Sequence, residues 1–248
     1  MHPRDYRPEP GSHAGRMIVV TGAGDGIGRA LALALARQGA TVGLLGRTLR
    51  RLEATYDSIV AGGGPQPALL PFNLETAAAG EYDALGAALE REFGRIDGLA
   101  HVAGIAGDPT PLDHYDVPTW CRVLHVNLTA PFVLTQALLP LLRRAEDASV
   151  LFTSCAIGRR GRAYFGAYAA SKSGLEGLMQ VLAHECEGTT NIRANSFDPG
   201  PVRTALRLRL YPAEDRTMLP EPAAVTAPFL YLLGPASRGI NGQALAAG

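Results

Sequence analysis

Residues 17–28 read Met-Ile-Val-Val-Thr-Gly-Ala-Gly-Asp-Gly-Ile-Gly, an apolar, β-branched run that leads into a turn with four glycines. The run predicts a buried strand, and alanines and leucines at helical spacing over 28–38 predict a helix directly after it. The glycines allow positive φ and a close backbone approach to a ligand. The helix would turn its unpaired N–H groups and positive dipole end towards that ligand. This stretch therefore predicts a pyrophosphate-binding element.

The alternation of strand and helix continues along the chain. Strands alternating with helices predict βαβ units and a parallel sheet with helices on both faces. Right-handed crossovers then give a Rossmann-type doubly wound α/β sheet, here of about seven strands. The long helical segment 118–144 is predicted to bend near Pro131. The further predicted strands are 41–45, 68–72, 98–102, 149–153 and 191–197, and the further predicted helices are 49–60, 76–93, 118–144 and 164–187.

Length and composition favour one globular domain. The chain has 248 residues, of which 47% are hydrophobic, enough for a large core. We predict a flexible or loosely docked N-terminal arm over 1–15, which is rich in Pro, His, Arg and Gly and lacks the apolar core of a signal peptide. A single domain is predicted over 16–248. Within it, 203–222 is the least regular segment and the candidate substrate lid.

Charge and cysteine content exclude several classes of protein. Lys plus Arg and Asp plus Glu are both 23, and this zero balance argues against nucleic-acid binding. The three cysteines form no CxxC pair, so neither a disulfide framework nor a metal site is expected, and a reducing cytoplasm fits. The longest apolar run, 128–142, is too short to span a bilayer. We expect a soluble cytoplasmic protein without a membrane partner.

The second predicted strand bears on the type of dinucleotide. It ends at Gly46-Arg47, where NAD enzymes place a carboxylate for the ribose 2′-hydroxyl. A guanidinium can instead form a forked contact with a 2′-phosphate, which favours NADP(H) over NAD(H). Asp25 opposes this slightly, because it brings negative charge to the same region. Three alternatives remain open: an ordinary surface Arg47, a glycine turn without a ligand, and a turn that binds S-adenosylmethionine.

A second motif, Tyr168-Ala-Ala-Ser-Lys172, places a phenol and an ammonium on one helix face. Free tyrosine has a pKa of about 10, too high for proton transfer at neutral pH. A cation about 4 Å away contributes roughly 4 kcal/mol at an effective dielectric of 20, which corresponds to about three pKa units. The spacing therefore predicts that Lys172 lowers the pKa of Tyr168 and that Tyr168 transfers a proton beside the bound dinucleotide.

Together these motifs resemble the short-chain dehydrogenase/reductase family over roughly 16–248. The matching features are the cofactor loop of 21–28, Asn127 in His-Val-Asn, the Tyr168–Lys172 pair, and Asn195 with the Pro-Gly-Pro-Val-Arg-Thr run at 199–204. The chain is most similar to a bacterial subgroup of unassigned substrate. The resemblance implies that Lys172 also binds the ribose hydroxyls and that Asn127 holds a water linking Lys172 to solvent.

The resemblance implies two sets of site residues. The catalytic set is Tyr168, Lys172 and Asn127, with Ser154 or Cys155 positioning the carbonyl. The cofactor-binding set is Gly22, Gly24, Asp25, Gly26, Ile27, Gly28, Arg47, Asn73, Leu74, Ala103, Gly104, Tyr168, Lys172, Pro199, Gly200, Val202 and Thr204.

Three positions depart from the family pattern. The family usually places a Ser thirteen residues before the Tyr, and that position holds Cys155. Ser154 precedes it, but neighbouring strand residues point to opposite faces, and a thiol is a weaker donor than a hydroxyl. His101 replaces an Asn and is predicted to bond the strand backbone. Asn73 replaces the acid that contacts adenine, and its amide can still offer hydrogen bonds.

We therefore predict an NADP(H)-dependent oxidoreductase that interconverts a carbonyl and an alcohol. A cofactor sensor or scaffold that lost turnover is the alternative, motivated by the missing Ser. An isomerase or dehydratase is less favoured, because few residues follow 204. The resemblance also implies a homodimer or homotetramer built on the long helices after Pro118 and Tyr164. The lid carries both leucines and arginines, which leaves an apolar pocket and an acidic substrate open.

Overall fold

The structure of the protein, a computed structural model, describes residues 3–247 and contains in that range one parallel sheet of seven strands. The strand order is β3-β2-β1-β4-β5-β6-β7. The chain builds outwards from β1 to β3 and then returns to place β4 on the other side of β1, which is the switch point of a doubly wound sheet. The strands are β1 Met17–Thr21, β2 Thr41–Gly46, β3 Ala68–Pro71, β4 Gly98–His101, β5 Ala148–Thr153, β6 Ile192–Asp198 and β7 Ala244–Ala246.

Helices cover both faces of the sheet, so the predicted fold class is confirmed. One face packs on α1, α2 and α9, and the other on α3, α5 and α7, each through its own apolar cluster. Burial on both faces explains why β1, β2 and β5 are apolar runs without polar alternation. In residues 3–247 the α-helices are α1 Gly26–Arg37, α2 Leu49–Ala61, α3 Ala79–Phe93, α4 Val117–Leu124, α5 Ala130–Leu142, α6 Ala156–Arg159, α7 Gly166–Cys186, α8 Ala205–Leu210 and α9 Thr226–Leu233.

The long helical stretch changes its winding at 125–129, just before Pro131, near which we predicted a bend. A π-helical turn, His125–Thr129, separates α4 from α5. Pro131 lies in the first turn of α5, where a missing N–H costs little. A π turn inside a helix often marks a functional site. Here it carries Asn127.

The combined stretch Val117–Leu142 has the length and composition of a membrane span, with 26 residues and a mean hydropathy of 1.3. We expected no membrane span because the apolar run 128–142 is too short, but the helical stretch is longer than that run. Leu134, Leu138 and Leu141 are buried in the core beneath the sheet. A core helix of a soluble protein passes the same test of length and composition, and 44% of an 18-residue apolar window in this stretch is buried.

Residues 3–15 are docked on the domain, where we predicted a flexible or loosely docked arm over 1–15, of which 1 and 2 lie outside the described residues. The ring of Tyr6 lies 5.2 Å from that of Tyr231 on α9. His13 is fully buried and its Nε2 donates to the carbonyl oxygen of Leu230 at 3.1 Å. Burial, assisted by Arg16, lowers the pKa of His13 to about 4. The prediction missed these contacts because α9 is apolar on all sides and shows no helical periodicity.

Candidate active site

A cleft of about 520 Å³ opens at the carboxyl ends of the strands, where β1 and β4 diverge. This is where ligands bind in open parallel sheets. The cleft runs from the glycine turn before α1 to the segment around α8. Of the site residues predicted from the sequence, those that line it are Gly22, Asp25, Gly26, Ile27, Gly28, Arg47, Asn73, Leu74, Ala103, Gly104, Ser154, Cys155, Tyr168, Lys172, Pro199, Gly200, Val202 and Thr204.

Two predicted site residues lie outside the cleft wall. Gly24 faces α2, where an added Cβ would come within 2.9 Å of the Cβ of Arg51. Asn127 is buried beneath the cleft floor, with 1% of its surface exposed. Gly24 therefore serves the packing of the turn against α2, whereas Asn127 acts on the cleft from below.

The glycine turn forms a backbone cradle that side chains would fill. Gly22 and Gly26 have φ of 70° and 52°, which favour glycine. A Cβ on Gly28 would overlap the carbonyl oxygen of Gly22 and lie 3.1 Å from that of Thr21. The N-terminal end of α1 opens into this cradle. A pyrophosphate fits such a site, because free N–H groups and the helix dipole both favour an anion.

Arginines balance the acidic groups around the cradle. Asp25 accepts from the backbone N–H of Gly26 at 2.7 Å and from Arg51 at 2.9 Å. Its negative charge is thus paired, which removes the objection that it would repel a phosphate. At the end of β2, Arg47 is 65% exposed and donates to Glu75 at 3.4 Å. That contact is long and exposed, so a phosphate can displace Glu75 at little cost.

Thr21 holds the two diverging strands together, a role that we did not predict. Its hydroxyl accepts from the backbone N–H groups of Val102 and Ala103, at 2.9 and 3.0 Å, and donates to the carbonyl of Ala100 at 3.3 Å. These bonds fix the end of β4 beside the glycine turn. A buried hydroxyl directly before the glycines was the available signal.

Tyr168 and Lys172 lie on one face of α7 and are both buried. The Lys172 ammonium donates to the carbonyl of Thr153 at 2.8 Å and lies 5.9 Å from the centre of the Tyr168 ring. Burial, followed by the adjacent Cys155 thiol, raises the pKa of Tyr168 well above its ordinary value. The direction is opposite to our prediction, because the spacing revealed the cation but not the burial of the phenol.

The charge of Lys172 is itself affected by burial. Burial lowers the pKa of Lys172, and the neighbouring Cys155, Glu176 and Asp198 act in the opposite direction. A buried ammonium with one carbonyl acceptor retains donors for further ligands. In this position Lys172 can donate both to the chain and to a ligand in the cleft.

Asn127 joins α7 to the loop after β4. Its side-chain oxygen accepts from the N–H of Ile105 at 2.9 Å, and its amide donates to the Ile105 carbonyl at 2.8 Å and to the Ser171 hydroxyl at 3.0 Å. Ser171 was not among the predicted site residues. An added Cβ on Gly104 would lie 3.2 Å from the Asn127 oxygen and 3.8 Å from the Lys172 nitrogen. Asn127 thus fixes the cleft floor close to Lys172.

Cys155, and not Ser154, is the neighbour of the Tyr168 phenol. The Cys155 thiol lies beside the Tyr168 phenol, and Cys155 packs in the apolar cluster at that end of the cleft. The Ser154 hydroxyl lies towards Glu176. Within residues 3–247 that hydroxyl is buried and has no hydrogen-bond partner of standard geometry. Successive residues at the end of β5 thus face opposite ways, as the alternation of a strand predicts.

The other two residues that depart from the family pattern are His101, which is buried, and Asn73, which is exposed. His101 is buried, stacks on Phe152 at 4.9 Å and is hydrogen-bonded to the Thr135 hydroxyl at 2.8 Å, not to the strand backbone. Burial, followed by the charge of Lys172, lowers the pKa of His101 to about 3, so this side chain is neutral. Asn73 is exposed at the cleft edge, where its side-chain oxygen accepts from the N–H of Glu75.

Asn195 serves the sheet and not the cleft. Its amide donates to Ile240 at 2.8 Å, and its oxygen accepts from the N–H of Gln243 at 3.0 Å, which holds the chain leading into β7. We grouped Asn195 with the ligand-binding run 199–204 because that run follows it closely in the sequence. Only the later part of that region lines the cleft.

Part of the wall at the far end of the cleft comes from the predicted lid 203–222, of whose side chains we assigned only Thr204 to the site. This wall includes side chains from the loop after β4, from the segment after β5 and from α8. Spacing carries no signal for them, since they come from three distant parts of the chain. They are Ile105, Ala106, Ile157, Leu206, Arg207, Arg209, Leu210 and Tyr211. Among residues 3–247, no cluster of three or more His, Cys, Asp or Glu could hold a metal ion.

Comparison with known proteins identifies the family of this chain. Residues 16–215 match the family model described as short chain dehydrogenase. The chain is 42% identical over 238 residues to the uncharacterized oxidoreductase YciK of Escherichia coli K12, covering 96% of this chain and 94% of that protein. It is 52% identical to a solved short chain dehydrogenase from Pseudomonas syringae, with a TM-score of 0.97 and coverage of 98% and 99%.

A third relative was solved with a dinucleotide. This short chain dehydrogenase from Escherichia coli CFT073, complexed with NADPH, is 42% identical, with a TM-score of 0.94 and coverage of 97% of this chain and 99% of that one. The motifs, the sheet topology and the cleft all agree with these matches. The chain belongs to the short chain dehydrogenase family of oxidoreductases.

Proposed function

We propose that the protein is an NADP(H)-dependent oxidoreductase that interconverts a carbonyl with a secondary or primary alcohol. The observation that carries this proposal is the buried Tyr168–Lys172 pair, which shares one cleft with the glycine cradle. The NADPH complex of the Escherichia coli CFT073 relative supports the choice of cofactor. When bound, NADPH supplies the hydride from C4 of its nicotinamide.

Each part of the cleft has a role in binding the dinucleotide. The cradle holds the pyrophosphate, with Gly22, Gly26 and Gly28 providing space and the start of α1 providing N–H donors. Arg47 binds the 2′-phosphate and Lys172 the ribose hydroxyls. The remaining contacts are assigned to Asp25, Ile27, Asn73, Leu74, Ala103 and Gly104, with Pro199, Gly200, Val202 and Thr204 flanking the nicotinamide.

Tyr168 gives the proton to the carbonyl oxygen. Because burial raises its pKa, the phenol keeps its proton at neutral pH, and the positive charge of Lys172 favours release of that proton to the carbonyl oxygen. Lys172, at 5.9 Å from the ring centre, stabilises the phenolate that donation leaves behind. Asn127 supports the return of a proton through Lys172. The Cys155 thiol positions the carbonyl, more weakly than the usual hydroxyl.

Turnover with small carbonyl compounds tests this function. NADPH absorbance should fall when the protein is mixed with some members of a panel of aldehydes, ketones and diketones. The competing function is a cofactor sensor or scaffold. Tight NADPH binding without oxidation by any panel member would support the sensor and contradict the oxidoreductase.

Replacing Arg47 with alanine tests the cofactor preference. We expect the Kd for NADP⁺ to rise about tenfold, the lower end for one charge-assisted contact, because Arg47 is exposed and already shared with Glu75. The Kd for NAD⁺ should change less than about twofold, since NAD⁺ lacks the 2′-phosphate. Arg91→Ala, an exposed arginine on α3, is the matched control. A wild-type Kd lower for NAD⁺ than for NADP⁺ would refute the preference.

We also propose a cytoplasmic homodimer or homotetramer with a single catalytic domain over 16–248 and a mobile substrate lid over 203–222. The unpaired cysteines Cys121, Cys155 and Cys186 fit a reducing compartment. Phe132 on α5 and Val181 on α7 are apolar and half-exposed, which supports association through these helices. The irregular turns around α8 support a lid.

A further inference from the structure

The two arginines of the segment 203–222 that line the cleft, Arg207 and Arg209, are already paired within the chain. A substrate carboxylate would have to displace a protein carboxylate to reach either of these guanidinium groups. Arg207 is held by two hydrogen bonds to the same side chain, both 2.6 Å, which is the strongest geometry for such a pair. The pairs are Arg207 with Glu214 at 2.6 Å and Arg209 with Asp108 at 2.9 Å. This arrangement favours an uncharged substrate.

The walls at this end of the cleft are largely apolar. A separate apolar cluster sits around Tyr168 and contains Ala106, Phe165 and Leu210, with Ile157 and Leu206 packed against it. Such walls bind the hydrocarbon part of a ligand, and the few polar groups among them fix the orientation of the ligand. A polar group fixed among them therefore determines which substrates are accepted.

Tyr211 is a polar group of this kind. Its ring lies 5.6 Å from that of Phe165, and the guanidinium carbon of Arg207 lies 3.7 Å from its centre. Arg207 is in turn held by Glu214. These contacts with Phe165 and Arg207 hold the Tyr211 ring in place.

Tyr211 and Tyr168 lie at the same end of the cleft. Both side chains line the cleft and share the apolar cluster. Burial is the main cause of the raised pKa of Tyr168, and Tyr211 is among the groups that add to it. Tyr168 and the Cys155 thiol serve the reacting oxygen. A second phenol in an apolar wall gains about 1 kcal/mol or more from its own acceptor.

We infer that Tyr211 donates a hydrogen bond to a second oxygen of the substrate, so that the site selects uncharged diketones and hydroxyketones. This inference rests on the proposed function. The reaction stays balanced: hydride adds to one carbonyl carbon, Tyr168 protonates its oxygen, NADPH becomes NADP⁺, and the second oxygen is unchanged. Tyr211 acts on selectivity through that second oxygen.

Three five-carbon probes distinguish a hydrogen bond from Tyr211 to the second substrate oxygen from a general role of Tyr211 in turnover. They are 2,3-pentanedione, 4-hydroxy-2-pentanone and 2-pentanone, assayed by NADPH oxidation. Tyr211→Phe should lower kcat/KM about tenfold for at least one of the two-oxygen probes and change it less than about twofold for 2-pentanone, since it removes one hydrogen bond. Tyr56→Phe on α2 is the matched control and should change none of the three.

The outcomes are distinguishable. A selective loss supports the inference. An equal loss for all three probes, or no loss for any, overturns it and leaves the oxidoreductase function standing. If the wild-type protein reduces none of these probes and no member of the wider panel, the proposed function fails, and the inference fails with it.

Discussion

Tyr168→Phe is expected to lower kcat by about a thousandfold, in the middle of the range for loss of a general acid. The substitution removes one oxygen from a side chain that is 6% exposed and keeps its shape, so the fold should persist. NADPH affinity should change little, because the assigned dinucleotide contacts lie mainly along the cradle and Lys172. Steady-state turnover with a reactive panel carbonyl, together with NADPH titration by fluorescence, measures both effects.

The control for this experiment is Tyr56→Phe, which makes the same chemical change on α2. It should keep full turnover. If Tyr168→Phe retained full turnover with a confirmed substrate, the proton would come from another group, and the proposed mechanism would be wrong. A large fall in NADPH affinity would instead show that Tyr168 acts in binding.

The strands and the glycine turn were predictable because their signals are local. Runs such as 17–21 and 149–153 are apolar, β-branched and bounded by turn residues, and their observed bounds differ by at most one residue. In contrast, β7 is Ala-Leu-Ala, and it forms because Asn195 and Asn241 hold the chain beside β6. Those contacts join residues 47 and 48 positions apart, so no short window of sequence reveals them.

The candidate site shows the same difference between local sequence signals, which could be predicted, and long-range contacts, which could not. The pair at 168 and 172 is a local feature of one helix, and spacing predicted its shared face. Which group lies beside it depends on distant strands: Cys155 reaches the phenol, whereas Ser154 turns to Glu176. The pKa of Tyr168 was predicted in the wrong direction because it depends on burial, which spacing does not reveal. Tyr211 lies within the predicted lid 203–222, but no local pattern distinguishes it from its neighbours there.

Gly28→Ala is expected to raise the Kd for NADPH by about a hundredfold, equivalent to losing one or two charge-assisted hydrogen bonds. Its Cβ would overlap the carbonyl oxygen of Gly22, and backbone cannot swing aside as a side chain can. The turn must shift, and its N–H groups then no longer meet around the pyrophosphate. Overpacking of this kind costs about 1–3 kcal/mol, so Tm should also fall by several degrees.

Gly80→Ala is the matched control for this substitution. Gly80 also lies in the first turn of a helix, α3, but an added Cβ there meets nothing within 4 Å. Tm should hold or rise, since alanine favours the helix, and the Kd for NADPH should stay at the wild-type value. If Gly28→Ala bound NADPH as tightly as the wild type, the phosphate site would lie elsewhere in the cleft. The close approach at Gly28 would then serve only the packing of α1 against the sheet.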